Sequence, residues 1–289
     1  MILFSVPKPF IGEYDIIQRN AIKSWLQINP KPKIVLMGNE KGIKNIVSEY
    51  KLIHIKKINR NQQGTPLLND IYLKMNKFND RIFMYINTDI VLLNSPYSTI
   101  ELLLNRFSQF LAVGRRYEIN IKKRISIRQI KRLIHNGTVK QKNDSWIDYF
   151  LFTKGIFDQV PPFALGKTFW DKWLVWSTLK KEIPVIDITK QLTAIHQTHT
   201  YSINSKTNAK TVWAGEEAYT NLLLAEGWSC SSTIADSSFK LINNILLHQK
   251  KKQKPWGRMI MDELPLLWPV FLKIRLLRER CYSIMHKYS

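Results

Sequence analysis

The chain has 289 residues, 45% of them hydrophobic and 23% charged, a balance that excludes disordered and fibrous classes and supplies a sizeable core. Lys and Arg number 44 against 22 Asp and Glu, a formal charge of +22, which implies an anionic partner: nucleic acid, an acidic membrane face or phosphorylated substrates. Two cysteines, Cys230 and Cys281, cannot form a disulfide framework and fit a reducing, cytoplasmic setting.

The opening residues read as a strand and are too short for the apolar region of a signal peptide. No stretch approaches the roughly 18 apolar residues of a spanning helix. Strands are predicted over 2–6, 33–37, 52–58, 81–93 and 109–114. Amphipathic helices are predicted between them, over 15–28, 43–50, 66–78 and 95–107. The third has a clear start, with Thr65 as N-cap and Pro66 in the first turn. Such β-α-β alternation predicts a mostly parallel sheet with helices on both faces, and ligands then bind beyond the carboxyl ends of the strands.

Residues 115–145 break the alternation and read as a basic excursion over the site, and from Arg115 to Lys142 there are ten Lys or Arg against the single acid Glu118. Regular structure resumes over 147–152, then a helix over 169–181, a strand over 184–188 and a helix over 215–226. A polar, basic hinge over 249–254 separates a domain spanning 1–248 from an extension spanning 249–289. In the extension Val270, Phe271, Ile274, Leu277, Cys281, Ile284 and Met285 share one helical face. That pattern suits a helix on an anionic bilayer or one packed on the domain. From His248 to Ser289 there are ten cations against three acids, so the two basic segments hold 16 of the 22 excess charges. Nothing matches a zinc finger, a basic zipper or an RNA-recognition strand, which argues against nucleic acid.

The chemistry concentrates where the buried run of 81–92 is interrupted by Asn87, Thr88 and Asp89. A carboxylate in such a run needs a partner, and a divalent cation bridging Asp89 to a diphosphate would be one. Further candidates are the carboxylates Asp148, Asp171, Glu216 and Glu217, the histidines His196 and His199, and the aromatics Tyr149 and Trp170. Asp171 opens a helix beside Trp170, where an apolar wall would raise its pKa. Trp170, with Tyr149 as a second candidate, offers an aromatic face on which a ligand ring could stack. Lys8 and Arg115 are candidate diphosphate or base contacts.

The segment Tyr85-Ile86-Asn87-Thr88-Asp89 resembles the Asp-x-Asp segment of nucleotide-sugar glycosyltransferases with the GT-A fold. Ser5-Val6-Pro7-Lys8-Pro9 and Leu36-Met37-Gly38-Asn39-Glu40 resemble the ends of the first two strands of that fold. Segments 110–116, 148–150, 166–171 and 194–197 resemble later parts of a bacterial and plant subgroup, over residues 1–230 in all. The resemblance implies an α/β, GT-A-like domain and sugar transfer from a nucleotide-sugar donor to a hydroxyl acceptor on a glycan or lipid-linked carrier, as in surface-glycan assembly. It implies donor contacts at Pro7, Lys8, Asn39, Glu40, Asn87, Thr88 and Arg115. It also implies a divalent cation, Mn²⁺ or Mg²⁺, at Asp89 and His196. Among the carboxylates, Asp171 lies in the order seen in inverting members, with Glu217 and Asp148 as alternatives. Asn87 departs from the family by replacing the first acid, which leaves open metal-independent activity.

Two rival readings follow from the same residues. A nucleotidyltransferase of similar fold would carry a Gly-rich loop near the first strand, and Val6-Pro7-Lys8-Pro9-Phe10 lacks one. A non-enzymatic binder of nucleic acid or another polyanion would show steep salt dependence and indifference to Asp89.

Overall fold

The computed structural model describes residues 1–121, 123–135, 140–199 and 215–249, together with 264 and 270. The first strands are β1 (Ile2–Ser5), β2 (Lys33–Met37), β3 (Ile53–Ile55) and β4 (Ile82–Ile86), parallel in the order β3-β2-β1-β4. Helices α1 (Glu13–Leu26), α2 (Ile43–Tyr50) and α3 (Leu68–Met75) form the crossovers. The expected α/β layering is therefore present, and it has a physical origin. Every residue of β4 is buried, as a strand covered on both faces requires. Phe83 and Tyr85 pack on one face against α3, while Ile82, Met84 and Ile86 pack on the other against α1 and α2.

The predicted strand over 81–93 is two strands. After β4 the chain turns through Asn87-Thr88-Asp89, with the Ile90 amide donating to the Asn87 carbonyl at 3.1 Å, and resumes as β5 (Ile90–Leu92). Helix α4 (Tyr97–Leu104) follows. Strand β6 (Leu111–Ile119) then runs well past the predicted end at 114. The basic stretch was expected to be an irregular excursion, but it supplies the end of β6, helix α5 (Ile127–His135) and strand β7 (Lys140–Gln141). Two things hold β6 extended there. Its far half pairs with a late strand, β10 (Ala194–Gln197), and Arg116 finds buried acidic partners.

Strand β8 (Ile147–Thr153) inserts antiparallel between β4 and β6. Helix α6 (Trp170–Lys180) and strand β9 (Val185–Asp187) lie close to their predicted bounds. Beyond β10 come helix α7 (Glu216–Leu224) and a hairpin, β11 (Phe239–Ile242) and β12 (Ile245–His248). The sheet order is β12-β11-β9-β6-β8-β4-β1-β2-β3, with β5, β7 and β10 off this path. A third, smaller core joins α5 to β5, β6 and β10 through Ile130, Val91, Ile119 and Ile195. Cys230 is buried. Among the described residues no helix is long and apolar enough to cross a membrane. The amphipathic segment expected over 264–289 lies, apart from Leu264 and Val270, outside the described residues.

Candidate active site

A cavity of about 760 Å³ opens beyond the carboxyl ends of β1 and β4, where this layering predicts a ligand. Its floor is the break between β4 and β5. Ser5 Oγ donates to the Ile86 carbonyl at 2.5 Å and lies 2.6 Å from Thr88 Oγ1, pinning the turn to the end of β1. Asn87 accepts from the Tyr85 hydroxyl at 3.0 Å and donates to Asp148 Oδ1 at 2.8 Å. Asn87, which replaces the first acid of the Asp-x-Asp segment that 85–89 resembles, is thus a bridge between β4 and β8.

Asp89 is drawn to two histidines by strand pairing. In the register of β10 with β5, His196 lies opposite Ile90, next to Asp89. Asp89 Oδ2 is 3.5 Å from His196 Nε2 and 3.2 Å from His199 Nε2. Gln197 fixes the backbone of this turn, its side-chain amide donating to the Asp89 carbonyl at 3.0 Å. Tyr14 Oη lies 3.3 Å from His199 Nδ1. Burial acts to raise the Asp89 pKa, yet the two histidines hold it well below the ordinary carboxylate value. His199 is the member of this cluster that the resemblance did not supply. The His-x-x-His spacing alone says little, and only the β5–β10 register brings both rings to one carboxylate.

The cluster fits a divalent cation. One carboxylate and two imidazoles offer ligand atoms all within 4.8 Å of one another. Asp89 Oδ1 is buried and receives no hydrogen bond from the described residues, so an anionic lone pair is left without a proton donor. Mixed oxygen and nitrogen donors suit a first-row ion such as Mn²⁺ better than Mg²⁺, which prefers oxygen.

Of the expected donor residues, Pro7, Lys8, Glu40, Asn87 and Thr88 line the cavity and Asn39 and Arg115 do not. The loop after β1 is clamped by Gln18, which accepts from the Lys8 amide at 2.7 Å and donates to the Lys8 carbonyl at 3.0 Å. At the end of β2, Gly38 takes φ +108°, and the Glu40 side chain folds into space that a Cβ there would occupy. The turn therefore aims Glu40 inward, paired with Arg60, and leaves Asn39 exposed.

Arg115 ion-pairs with Asp144 at 2.6 Å outside the cavity, and its neighbour Arg116 lines the wall instead. Both sit in β6, where successive side chains point to opposite faces. Arg116 is 4% exposed, reaches Asp148 at 2.6 Å and Glu118 at 3.0 Å, and lies over the Trp146 ring at 4.6 Å. Asp148 is thereby committed to Arg116 and Asn87.

Asp171, Glu216 and Glu217 also line the cavity. The chain enters α6 through Phe169 at φ +82°, a conformation that non-glycine residues rarely adopt. The Phe169 ring packs edge-on against Trp228 at 4.7 Å, which holds this turn in place. Burial raises the Asp171 pKa, opposed by Lys172 and assisted by Asp148. Glu217 has the reverse balance. Burial would raise its pKa, but Lys167 at 2.8 Å and Asn61 at 2.7 Å hold it below the ordinary value.

Trp170 reaches the cavity but is 5% exposed, its ring edge-on to Tyr85 and tilted against Phe150, both at 5.5 Å. Tyr149 does not reach it. In β8 the side chains of Asp148 and Phe150 face the cavity side, so the period of two sends Tyr149 into the core on the other face, fully buried.

No protein-family model matches the chain, and no curated protein matches it. Among solved structures, S. aureus TarS 1–349 in complex with UDP-GlcNAc is similar over 78% of this chain and 65% of that one, at 11% identity and a TM-score of 0.45. S. aureus TarS is similar over 78% of this chain and 39% of that one, at 10% identity and a TM-score of 0.49. GalNAc-T7 with UDP, GalNAc and Mn²⁺ is similar over 79% of this chain and 49% of that one, at 11% identity and a TM-score of 0.45. The chain spans 65% or less of the length of each of these proteins.

Proposed function

We propose that the chain is a glycosyltransferase that moves a sugar from a nucleotide-sugar donor to a hydroxyl acceptor on a glycan or lipid-linked carrier. The observation that carries this reading is the Asp89–His196–His199 cluster, set in one cavity with Lys8, Arg116 and Asp171. Asp89, His196 and His199 would hold a divalent cation, which neutralises charge developing on a leaving diphosphate. Lys8, exposed at the mouth, approaches the phosphates. Asn87 and Thr88 face the sugar or ribose, and Glu40 the nucleoside end.

Asp171 is the base of this reading. It takes the proton from the acceptor hydroxyl as that oxygen attacks the anomeric carbon and the bond to the diphosphate breaks. Its raised pKa favours this role over Glu217, whose ion pair with Lys167 stabilises the carboxylate and weakens it as a base. Asp148 is occupied by Arg116 and acts as a support. The rival nucleotidyltransferase reading lacks its Gly-rich loop, and the polyanion-binder reading gives no role to a buried Asp–His–His cluster.

The test is a thermal-shift panel of nucleoside diphosphates and nucleotide sugars, with Mn²⁺, Mg²⁺ or chelator, on the wild type and Asp89→Ala. A ligand at 100 times its Kd adds about 2.7 kcal/mol of stability. The expected result is stabilisation by one nucleotide family, greater with Mn²⁺ than Mg²⁺ and lost in Asp89→Ala. If no nucleotide shifts the wild type under any metal condition, the transferase reading fails.

A further inference from the structure

The positive excess of this chain does not reside on the described wall of its cavity. The described wall carries three cationic side chains, Lys8, Arg116 and Lys167, against six carboxylates, and Arg116 and Lys167 are each ion-paired. The excess lies partly on one outer surface. Between Glu118 and Asp144 the sequence has no acidic residue, and Lys123, Arg124, Arg128, Lys131 and Arg132 are all exposed. Arg124 is 3.6 Å from Asp15, while among the described residues no carboxylate pairs with Arg128, Lys131 or Arg132.

Helix α5 explains how those charges are displayed. Ser126 and Gln129 form its reciprocal cap, the Gln129 side chain accepting from the Ser126 amide at 2.9 Å and Ser126 Oγ accepting from the Gln129 amide at 3.3 Å. Ile130 is buried, and Leu133 and Ile134 pack beside it on the core of β5, β6 and β10. Arg128, Lys131 and Arg132, spaced i, i+3 and i+4, then share the outer face. The helix is tied to the active site through α1. Asn20 donates to the Lys123 carbonyl at 3.2 Å and accepts from the Ile125 amide at 3.2 Å, and Tyr14 and Gln18 of the same helix line the cavity.

We propose that the outer face of α5, with Lys123 and Arg124, is a docking surface for the headgroups of an anionic lipid bilayer. The apolar side of α5 is committed to the protein, so the contact is electrostatic at headgroup level, without insertion. Among the described residues the exposed face of α5 carries no aromatic ring on which bases could stack, which favours a charged surface over single-stranded nucleic acid. Docking there holds the cavity beside the membrane, where a lipid-linked acceptor would be presented. The binding itself does not rest on the transferase reading.

The test is co-sedimentation of the 289-residue chain with vesicles of phosphatidylcholine alone or with 30 mol% phosphatidylglycerol, at ~0.1 M NaCl. Each cation near such a surface strengthens partitioning about fivefold, so Arg128→Gln/Lys131→Gln/Arg132→Gln should weaken it roughly 100-fold. A variant of equal net charge with exposed lysines of other elements replaced, Lys31→Gln/Lys57→Gln/Lys77→Gln, should bind like the wild type, as should Arg128→Lys/Arg132→Lys. The proposal is overturned if the wild type ignores anionic vesicles, or if the α5 variant binds them as well as the wild type. It is equally overturned if the two triple variants lose binding alike, or if poly(U) RNA at equal phosphate displaces the chain from vesicles.

Discussion

A carboxyl group that must take a proton from an alcohol serves best when its pKa lies nearer the working pH than an ordinary aspartate does. Asp171 meets that condition through burial at the start of α6. Replacing it by Asn should lower kcat by about 10² to 10⁴ while leaving the donor KM within a few-fold. Glu217→Gln should act mainly through the lost Lys167 contact. Only the deprotonated base works, so the rate should rise with pH through a midpoint above the ordinary aspartate value of about 3.9. The stability consequence has the opposite sense. A folded pKa above the unfolded one gives a contribution that is full below the unfolded value and lost as pH rises through the folded value. Asp171→Asn should therefore show a higher urea midpoint than the wild type at pH 7. A variant both inactive and less stable would assign Asp171 a structural role.

At the scale of elements, three polar residues interrupting the apolar run of 81–92 mark the site, although the run reads as one strand and folds as two. The position of Asp89 follows from that alone. Its second histidine does not, since β10 meets β5 across more than 100 residues and no local period announces the pairing. The exchange of Arg115 for Arg116 has a similar origin. Charge density in 115–142 suggests a loop, whereas strand pairing with β10 and the acids around Arg116 decide the local conformation. The β11–β12 hairpin was missed although its signal is present: Asn243 and Asn244, at φ +49° and +64°, stand between two apolar runs as a two-residue turn requires. Gly114 shows what such pairing demands. It sits at an irregularity between β6 and β8, where a Cβ would lie 1.9 Å from Tyr149 Oη and 3.1 Å from the Thr189 amide. Gly114→Ala should cost about 3 kcal/mol in urea unfolding. Adding Tyr149→Phe, which removes a buried hydroxyl that has no hydrogen-bond partner among the described residues, should restore much of that loss. No recovery in the double variant would place the conflict in the backbone around Thr189. Tyr149→Phe alone should leave sugar transfer unchanged, because the ring faces the far core.

At the scale of the whole molecule, the described cavity wall is not where the positive charge collects. Acids outnumber cations on the described cavity wall, while the chain as a whole carries +22 and the two basic segments hold 16 of those charges. Like charges so concentrated repel one another in the folded state, and the repulsion has a range set by salt. The Debye length falls from about 30 Å at 0.01 M to about 8 Å at 0.15 M. The first distance spans much of a domain and the second only a few neighbouring side chains. Raising NaCl across that interval should therefore stabilise the fold. If the relief is about 1 kcal/mol, Tm should rise by roughly 2–4 °C, read by calorimetry at pH 7. Surface ion pairs such as Arg19–Glu49 at 2.6 Å weaken over the same interval, but pairs of this kind contribute only ~0.2–1 kcal/mol each. A fall in Tm with salt would mean that such pairs outweigh the repulsion. The basic surfaces would then be balanced within the fold, and the case for an anionic partner outside the cavity would weaken with them.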